Sequence, residues 1–352
     1  MSDFIEQAQA RIREAQAANT PLRIRGGGTK DFYGSSSDGE LLDTRAHSGV
    51  IAYDPSELVL TVKAGTRLAE VEATLAASGQ CLPFEPPHFG AGATVGGCVA
   101  SGLSGPRRPY AGAVRDYLLG VTLIDGRGEC LRFGGQVMKN VAGFDTFRLQ
   151  AGAMGTLGLI TEVSFKVLPT PEADETRVFE CDAQSAIATM NRLAGQPLPL
   201  AGAIHHQGRL KLRLAGNPAA VRAAVAKLGG EPLPDATAFW TVLREQKHPF
   251  FAGDAPLWRL AVKPTSLPLA SDDIDELIDW GGGQRWLRTA RSADDLRTLA
   301  TACGGHATAF RLAASVDAFQ LPAPAVMALH RRLKATFDPA GILNRGRLYP
   351  DF

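Results

Sequence analysis

Two glycine clusters constrain this chain more than any other feature. The first is Gly26-Gly27-Gly28 within Arg25-Gly-Gly-Gly-Thr29-Lys30, and the second is Gly96-Gly97 at the end of Gly90-Ala91-Gly92-Ala93-Thr94-Val95-Gly96-Gly97. Consecutive glycines let backbone N–H groups converge on an anion with no Cβ in the way, so each cluster has the capacity to hold a phosphate. Thr94 adds a hydroxyl donor at the second. A tight turn is the competing reading of either cluster alone, but two separated clusters suit a diphosphate. Neither is a GxGxxG between a strand and a helix, since the second follows a proline-rich loop, and no GxxxxGK[ST] lies near either. A nicotinamide-binding Rossmann unit and a Walker loop are both disfavoured.

The residues around the clusters read as alternating strands and helices. Ile5, Ala8, Ile12 and Ala15 share one helical stripe, Leu22 and Ile24 alternate into the triple glycine, and apolar runs follow at 50–53 and 58–62. Leu68, Val71 and Leu75 recur at helical spacing before Gly79, and 82–105 is too rich in Gly and Pro for more than a shaped loop and a short helix. Residues 116–135 read as a hairpin turning at Asp125–Gly128, and 159–169 as a strand closed by Pro169. Strands at 176–181, 200–206 and 210–214 alternate with helices at 185–193 and 218–228. A last strand at Trp258–Val262 would complete a ferredoxin-like cap. The tail ends in turn signals at Asp338-Pro339 and Asn344–Gly346. The expected fold is α+β: a first unit over 1–172, a ferredoxin-like α/β cap over 173–320, and a compact C-terminal tail over 321–352.

With 352 residues the chain can enclose a large ligand. Its 37 basic and 36 acidic residues form no block, so nucleic acid is not an expected partner. No apolar stretch is long enough to span a membrane, which gives an expectation of a cytoplasmic protein. Cys81, Cys98, Cys130, Cys181 and Cys303 are spread singly, without a CxxC pair, and read as reduced thiols; no metal site is expected.

RGGGTK, GATVGGCVASGLSG, YAGAVRDYLLGV, KNVAGFDTFRL, AGAMGTLGLITEVSFKVLP and FDPAGILNRGRL occur in an order that resembles the vanillyl-alcohol-oxidase-like flavoproteins with a PCMH-type FAD-binding domain. Through LPFEPPHFG, GPRRPYAG, DWGGGQRWL and GGHAT the chain is most similar, within that family, to FAD-binding subunits of bacterial glycolate oxidases. The resemblance implies a two-part PCMH-type FAD-binding domain over 1–172 and a tail over 321–352 that returns to the flavin. It implies further that Gly26, Gly27, Gly28 and Thr29 hold the FAD pyrophosphate, with Thr94, Gly96 and Gly97 closing over it. Gly158 and Ile160 would lie beside the adenosine half, and Arg115 and Asn344 near the isoalloxazine. Thr29 replaces the histidine by which many members bond flavin covalently, so noncovalent FAD is implied. Arg345 replaces a usual proline, and Arg347 would put positive charge near the flavin.

The resemblance also implies oxidation of a small 2-hydroxy acid, glycolate to glyoxylate. The implied partners are a larger homologous FAD-binding subunit and an iron–sulfur subunit that takes the electrons, with peripheral attachment to the inner membrane through those partners. A stand-alone D-lactate-type dehydrogenase and a non-catalytic flavin-carrying subunit remain alternatives. Such dehydrogenases carry a downstream histidine pair with a carboxylate, and that spacing is not found here. Adjacent His205 and His206 point to opposite faces of a strand. His306 and His88, in glycine-rich loops, and Arg347 are the weak candidates for catalysis, against plain structural roles for each. Arg107-Arg108 fits either a substrate carboxylate or a solvated or subunit-contacting surface. Trp280, Trp286, Phe250 and Phe251 read as core or interface, and Cys98 as a small buried apolar residue.

Overall fold

A computed structural model describes residues 3–135, 145–311, 316–350 and 352. Residues 139–144 of the KNVAGFDTFRL segment lie outside them. Helix α1 (Asp3–Ala18) buries the expected stripe of Ile5, Ala8, Ile12 and Ala15, packed with Leu22, Leu42, Ile124 and Leu159. Strand β1 (Leu22–Arg25) pairs in parallel with β2 (Glu40–Asp43) and runs directly into the first glycine cluster.

A five-stranded sheet follows in the order β3-β4-β8-β6-β7, built from β3 (Val50–Asp54), β4 (Val59–Lys63), β6 (Leu118–Ile124), β7 (Cys130–Gly134) and β8 (Leu159–Lys166). Helices α2 (Leu68–Ala76) and α3 (Val95–Ser101) contribute to the core it closes, and α4 (Arg108–Ala111) follows. Two-residue strands β5 (Gln80–Cys81) and β9 (Leu168–Pro169) pair off the sheet. The period of two along the central strands sends Leu60, Val62, Val163 and Phe165 into that core. Thr61 and Ser164 face the other side, their hydroxyls 2.9 Å apart.

The second unit is one eight-stranded antiparallel sheet ordered β13-β10-β12-β11-β15-β16-β14-β17. Its first half runs β10 (Ala173–Glu180), α5 (Ala183–Ala194), β11 (Leu200–His206), β12 (Arg209–Gly216), α6 (Pro218–Leu228) and β13 (Glu231–Pro232). After α7 (Ala236–Arg244) the second half runs β14 (Leu257–Ala261), β15 (Asp275–Asp279), β16 (Gln284–Arg288), α8 (Ala293–Ala302) and β17 (His306–Arg311). Each half has the ferredoxin-like order in which the fourth strand flanks the first, the third comes next and the second lies outermost. The halves join edge to edge where His205 of β11 pairs with Ile278 of β15. This corrects the sequence expectation: β13, not the Trp258 strand, closes the first half, and the Trp258 strand opens a second one. Segment 262–274 stands where the second half would carry its first helix.

The tail also holds more regular structure than expected. Helix α9 (Pro324–Phe337) precedes the terminal turns, and Lys334 on it is buried, donating to the Thr156 and Leu343 carbonyls at 2.9 Å and to Asp338 at 2.7 Å. Leu22 N–H donates to Ile342 and Asn344 N–H to Leu22, so the returning tail adds to the β1 ribbon.

Candidate FAD-binding site

The two glycine clusters face each other across a tight seam. A Cβ on Gly27 would overlap the Gly92 carbonyl, and one on Gly26 would collide with the Thr94 hydroxyl, so at these positions only glycine allows the approach. Gly28 has φ 71°, in the left-handed region, and brings the loop around beneath the Arg25 guanidinium. Among the described residues, the backbone N–H groups of Gly27, Gly28, Thr29 and Lys30 find no acceptor within the protein. Consecutive unclaimed amides behind a glycine turn are the arrangement that binds an anion.

These loops wall an open cleft that extends to Met154, Gly158 and Asn344. Gly26, Gly27, Gly28, Thr29, Thr94, Gly96, Gly97, Gly158, Ile160, Asn344 and Arg347 all line it, so the structure brings together nearly every site residue singled out from the sequence. The second cluster contributes differently from the first. Thr94 caps α3, its Oγ1 accepting from Gly97 N–H at 3.3 Å, while the Val95 and Gly96 amides donate to Thr66 and Ala64. With those amides used internally, Gly96 and Gly97 present a bare wall, not a row of donors.

Asn344 is buried and has φ 44°; its Oδ1 accepts from Ile24 N–H at 2.7 Å and its Nδ2 donates to the Met154 carbonyl at 2.6 Å. It thereby ties the strand before the first glycine loop to the 152–155 turn. Arg347 clamps the other end of that loop by donating to the carbonyls of Lys30, Asp31, Tyr33 and Ser35 at 2.6–3.2 Å. Arg23, Arg25, Lys30 and Ser101 line the cleft as well, though the sequence reading had not selected them as contacts. Their common signal is proximity to the glycines, and three of them add positive charge. Burial lowers the Lys30 ammonium from its ordinary range, partly opposed by Cys98 and Glu245. Cys98 is buried and its thiol is pushed up to about 12 by burial, so it packs as an apolar residue.

The three candidates for catalysis do not converge. His88 stands with Nε2 3.2 Å from Glu72 Oε1, and His306 lies at the exposed start of β17; neither lines the cleft. His205 meets the Cys181 carbonyl at 2.9 Å and His206 approaches Asp275 at 3.4 Å, on opposite faces as expected. Arg115 lies in a neighbouring cavity that shares Ser101 and Met154 with the cleft. Trp280, Trp286, Phe250 and Phe251 are buried. All five cysteines are free thiols.

Residues 4–134 match the FAD binding domain family, and residues 320–348 the family of FAD linked oxidases, C-terminal domain. Glycolate oxidase subunit GlcE of Escherichia coli (strain K12) is 43% identical, over 99% of this chain and 98% of that protein. Glycolate oxidase subunit GlcD of Bacillus subtilis (strain 168) is 31% identical over 44% of this chain and 33% of its own length. An alkyldihydroxyacetonephosphate synthase structure superposes with a TM-score of 0.67 at 17% identity, covering 96% of this chain and 75% of that one, a likeness of fold. The glycine cleft and these matches together define an FAD-linked oxidoreductase. More particularly, the chain belongs to the family of glycolate oxidase subunit GlcE.

Proposed function

We propose that this chain is the GlcE-type, FAD-carrying subunit of a complex that oxidises glycolate to glyoxylate and passes the electrons to an iron–sulfur subunit. The end-to-end similarity to GlcE carries this reading, since it spans the cap and tail as well as the FAD-binding loops. Bound FAD supplies the hydride acceptor. The chain's own residues hold and shape the site. The Gly27–Lys30 amides receive the diphosphate, Arg23, Arg25 and Lys30 balance its charge, and Gly158 leaves room for the adenosine half. Thr29, packed against Gly90, offers no imidazole for a covalent link, so the flavin is held noncovalently.

Removal of a hydroxyl proton needs a positioned base. His88 and His306 lie away from the cleft, which favours a division of labour in which a GlcD-type partner supplies the base. A tagged copy co-expressed with a GlcD-type flavin subunit and the iron–sulfur subunit is expected to bring both down and reduce a dye on addition of glycolate. Isolation of this chain as a fully active enzyme on its own would overturn the subunit assignment.

A further inference from the structure

Three arginines meet in the cavity beside the flavin cleft. Arg108 comes from α4, Arg115 from the single turn Val114–Asp116, and Arg259 from β14 of the second unit, with Tyr33 on the wall. The cavity is open to solvent and shares Ser101 and Met154 with the FAD cleft. Among the described residues, none of the three forms an ion pair. The nearby carboxylates are already engaged: Asp116 accepts from Ala113 N–H at 2.8 Å, and Asp279 from Trp280 N–H at 2.7 Å and Gln284 Nε2 at 3.1 Å. Arg108 and Arg259 lie over the Trp280 indole, 4.4 and 4.9 Å from its centroid, and Arg259 Nε donates to Gln284 Oε1 at 2.6 Å. Trp280 is anchored in turn by Nε1 donating to the Gly105 carbonyl at 3.1 Å. The guanidinium groups are therefore held in place from both units.

Like charges gathered this closely raise each other's energy. Arg108 is pulled below its ordinary range by burial and then by Arg259 and Arg115, opposed only in part by Asp116. Such a cluster stays together in a folded protein when an external anion completes it, and a planar guanidinium fork matches a carboxylate.

We propose that Arg108, Arg115 and Arg259 form a carboxylate-binding site for a small 2-hydroxy or 2-oxo acid, assembled only when the two units are in register. The site rests on the reading of the neighbouring cleft as the flavin site, because that neighbour defines what the bound acid would face. Arg108 and Arg259 are the principal ligands, fixed on Trp280, and the exposed Arg115 guards the mouth.

Isothermal titration calorimetry of the flavin-loaded protein with glycolate as the probe tests the proposal. The expected result is saturable binding, weakened at least tenfold in Arg259→Met and again in Arg108→Met, and unchanged in Arg209→Met at the exposed start of β12, outside this cavity. Each variant's thermal unfolding is measured alongside, and because the two arginines lie on different units, loss in both is not explained by failure of one to fold. Absence of binding in the wild type, retention in both variants, or equal affinity for sulfate would overturn the carboxylate site. The same titration on flavin-stripped protein separates the two readings. Glycolate binding there without any FAD uptake would sink the flavin assignment alone, whereas FAD uptake without glycolate binding would sink this proposal alone.

Discussion

Asn344 shows how one side chain can hold a cofactor cleft without contributing to its chemistry. Its amide joins the partly buried Ile24 to the buried Met154, from a backbone in the left-handed region. Asn344→Ala strands one buried and one partly buried backbone group, at a cost of ~2–3 kcal/mol in urea unfolding. Asn344→Asp keeps the acceptor but loses the donor to Met154, and should fall between alanine and wild type. Gly27→Ala tests the seam itself: its Cβ would overlap the Gly92 carbonyl, so the loops must part. Loss of bound flavin and a stability loss of at least ~2 kcal/mol are expected, read from the visible spectrum and from denaturant unfolding. At this scale the sequence was legible because two separated glycine clusters suit a diphosphate, where either alone reads equally as a tight turn. What it did not disclose was the division of roles. Gly96 and Gly97 have spent their amides within the protein, and Asn344 and Arg347 act as clamps. The clamps depend on partners far off in sequence, Met154 and Tyr33 among them, and the glycine amides on how Ala64 and Thr94 pack against the loop.

Among the elements, one contact between the two units is made by Arg213 of β12, which reaches Asp174 of its own sheet at 2.6 Å and Glu85 of the first unit at 2.7 Å. The guanidinium is largely buried, so Arg213→Ala leaves carboxylates poorly compensated and should cost ~3–5 kcal/mol. Separate probes of the two units are expected to unfold together in wild type and at different denaturant concentrations in the variant. Periodicity was enough to find α1, β1, the 116–135 hairpin and the first half of the cap, where the apolar spacing is clean. It failed in the second half for a visible reason. Strands β15 and β16 read DELID and QRWLR, and their charged residues look like surface, yet Glu276 and Arg285 pair at 2.8 Å with both side chains buried. A buried ion pair hides a central strand from hydropathy. The true fourth strand of the first half, Glu231–Pro232, is too short to carry any periodic signal.

Over the whole molecule, the segments LPFEPPHFG, GPRRPYAG and DWGGGQRWL, far apart in sequence, meet where the units join. Trp280 from the third binds Gly105 of the second, and Glu245 of α7's C-terminal end receives the N–H groups of His88 and Phe89 from the first. Asp279 sits at this junction, fully buried, and its carboxyl is pushed up to about 7 by burial, despite hydrogen bonds from Trp280 and Gln284 and the charge of Arg259, which oppose the shift. The folded protein therefore holds a proton here that the unfolded chain releases near pH 4. Stability should be greatest below that pH with respect to this group, fall as pH rises towards 7, and then level off. Asp279→Asn mimics the protonated form and should flatten that part of the pH–stability curve, measured by thermal unfolding at closely spaced pH values. An unchanged slope would assign it to other groups. Among the described residues, no helix is long and apolar enough to cross a membrane.

The central claim is that the glycine loops hold FAD noncovalently, and flavin content tests it most directly. The chain, purified with its partners and then alone, is denatured with acid, and the supernatant and pellet are scanned for the flavin band at about 450 nm. FAD released in full to the supernatant, in a single equivalent per chain and lost in Gly27→Ala, is the predicted result. A protein that stays colourless even when made with its partners would contradict the claim, and flavin retained on the denatured pellet would contradict its noncovalent form.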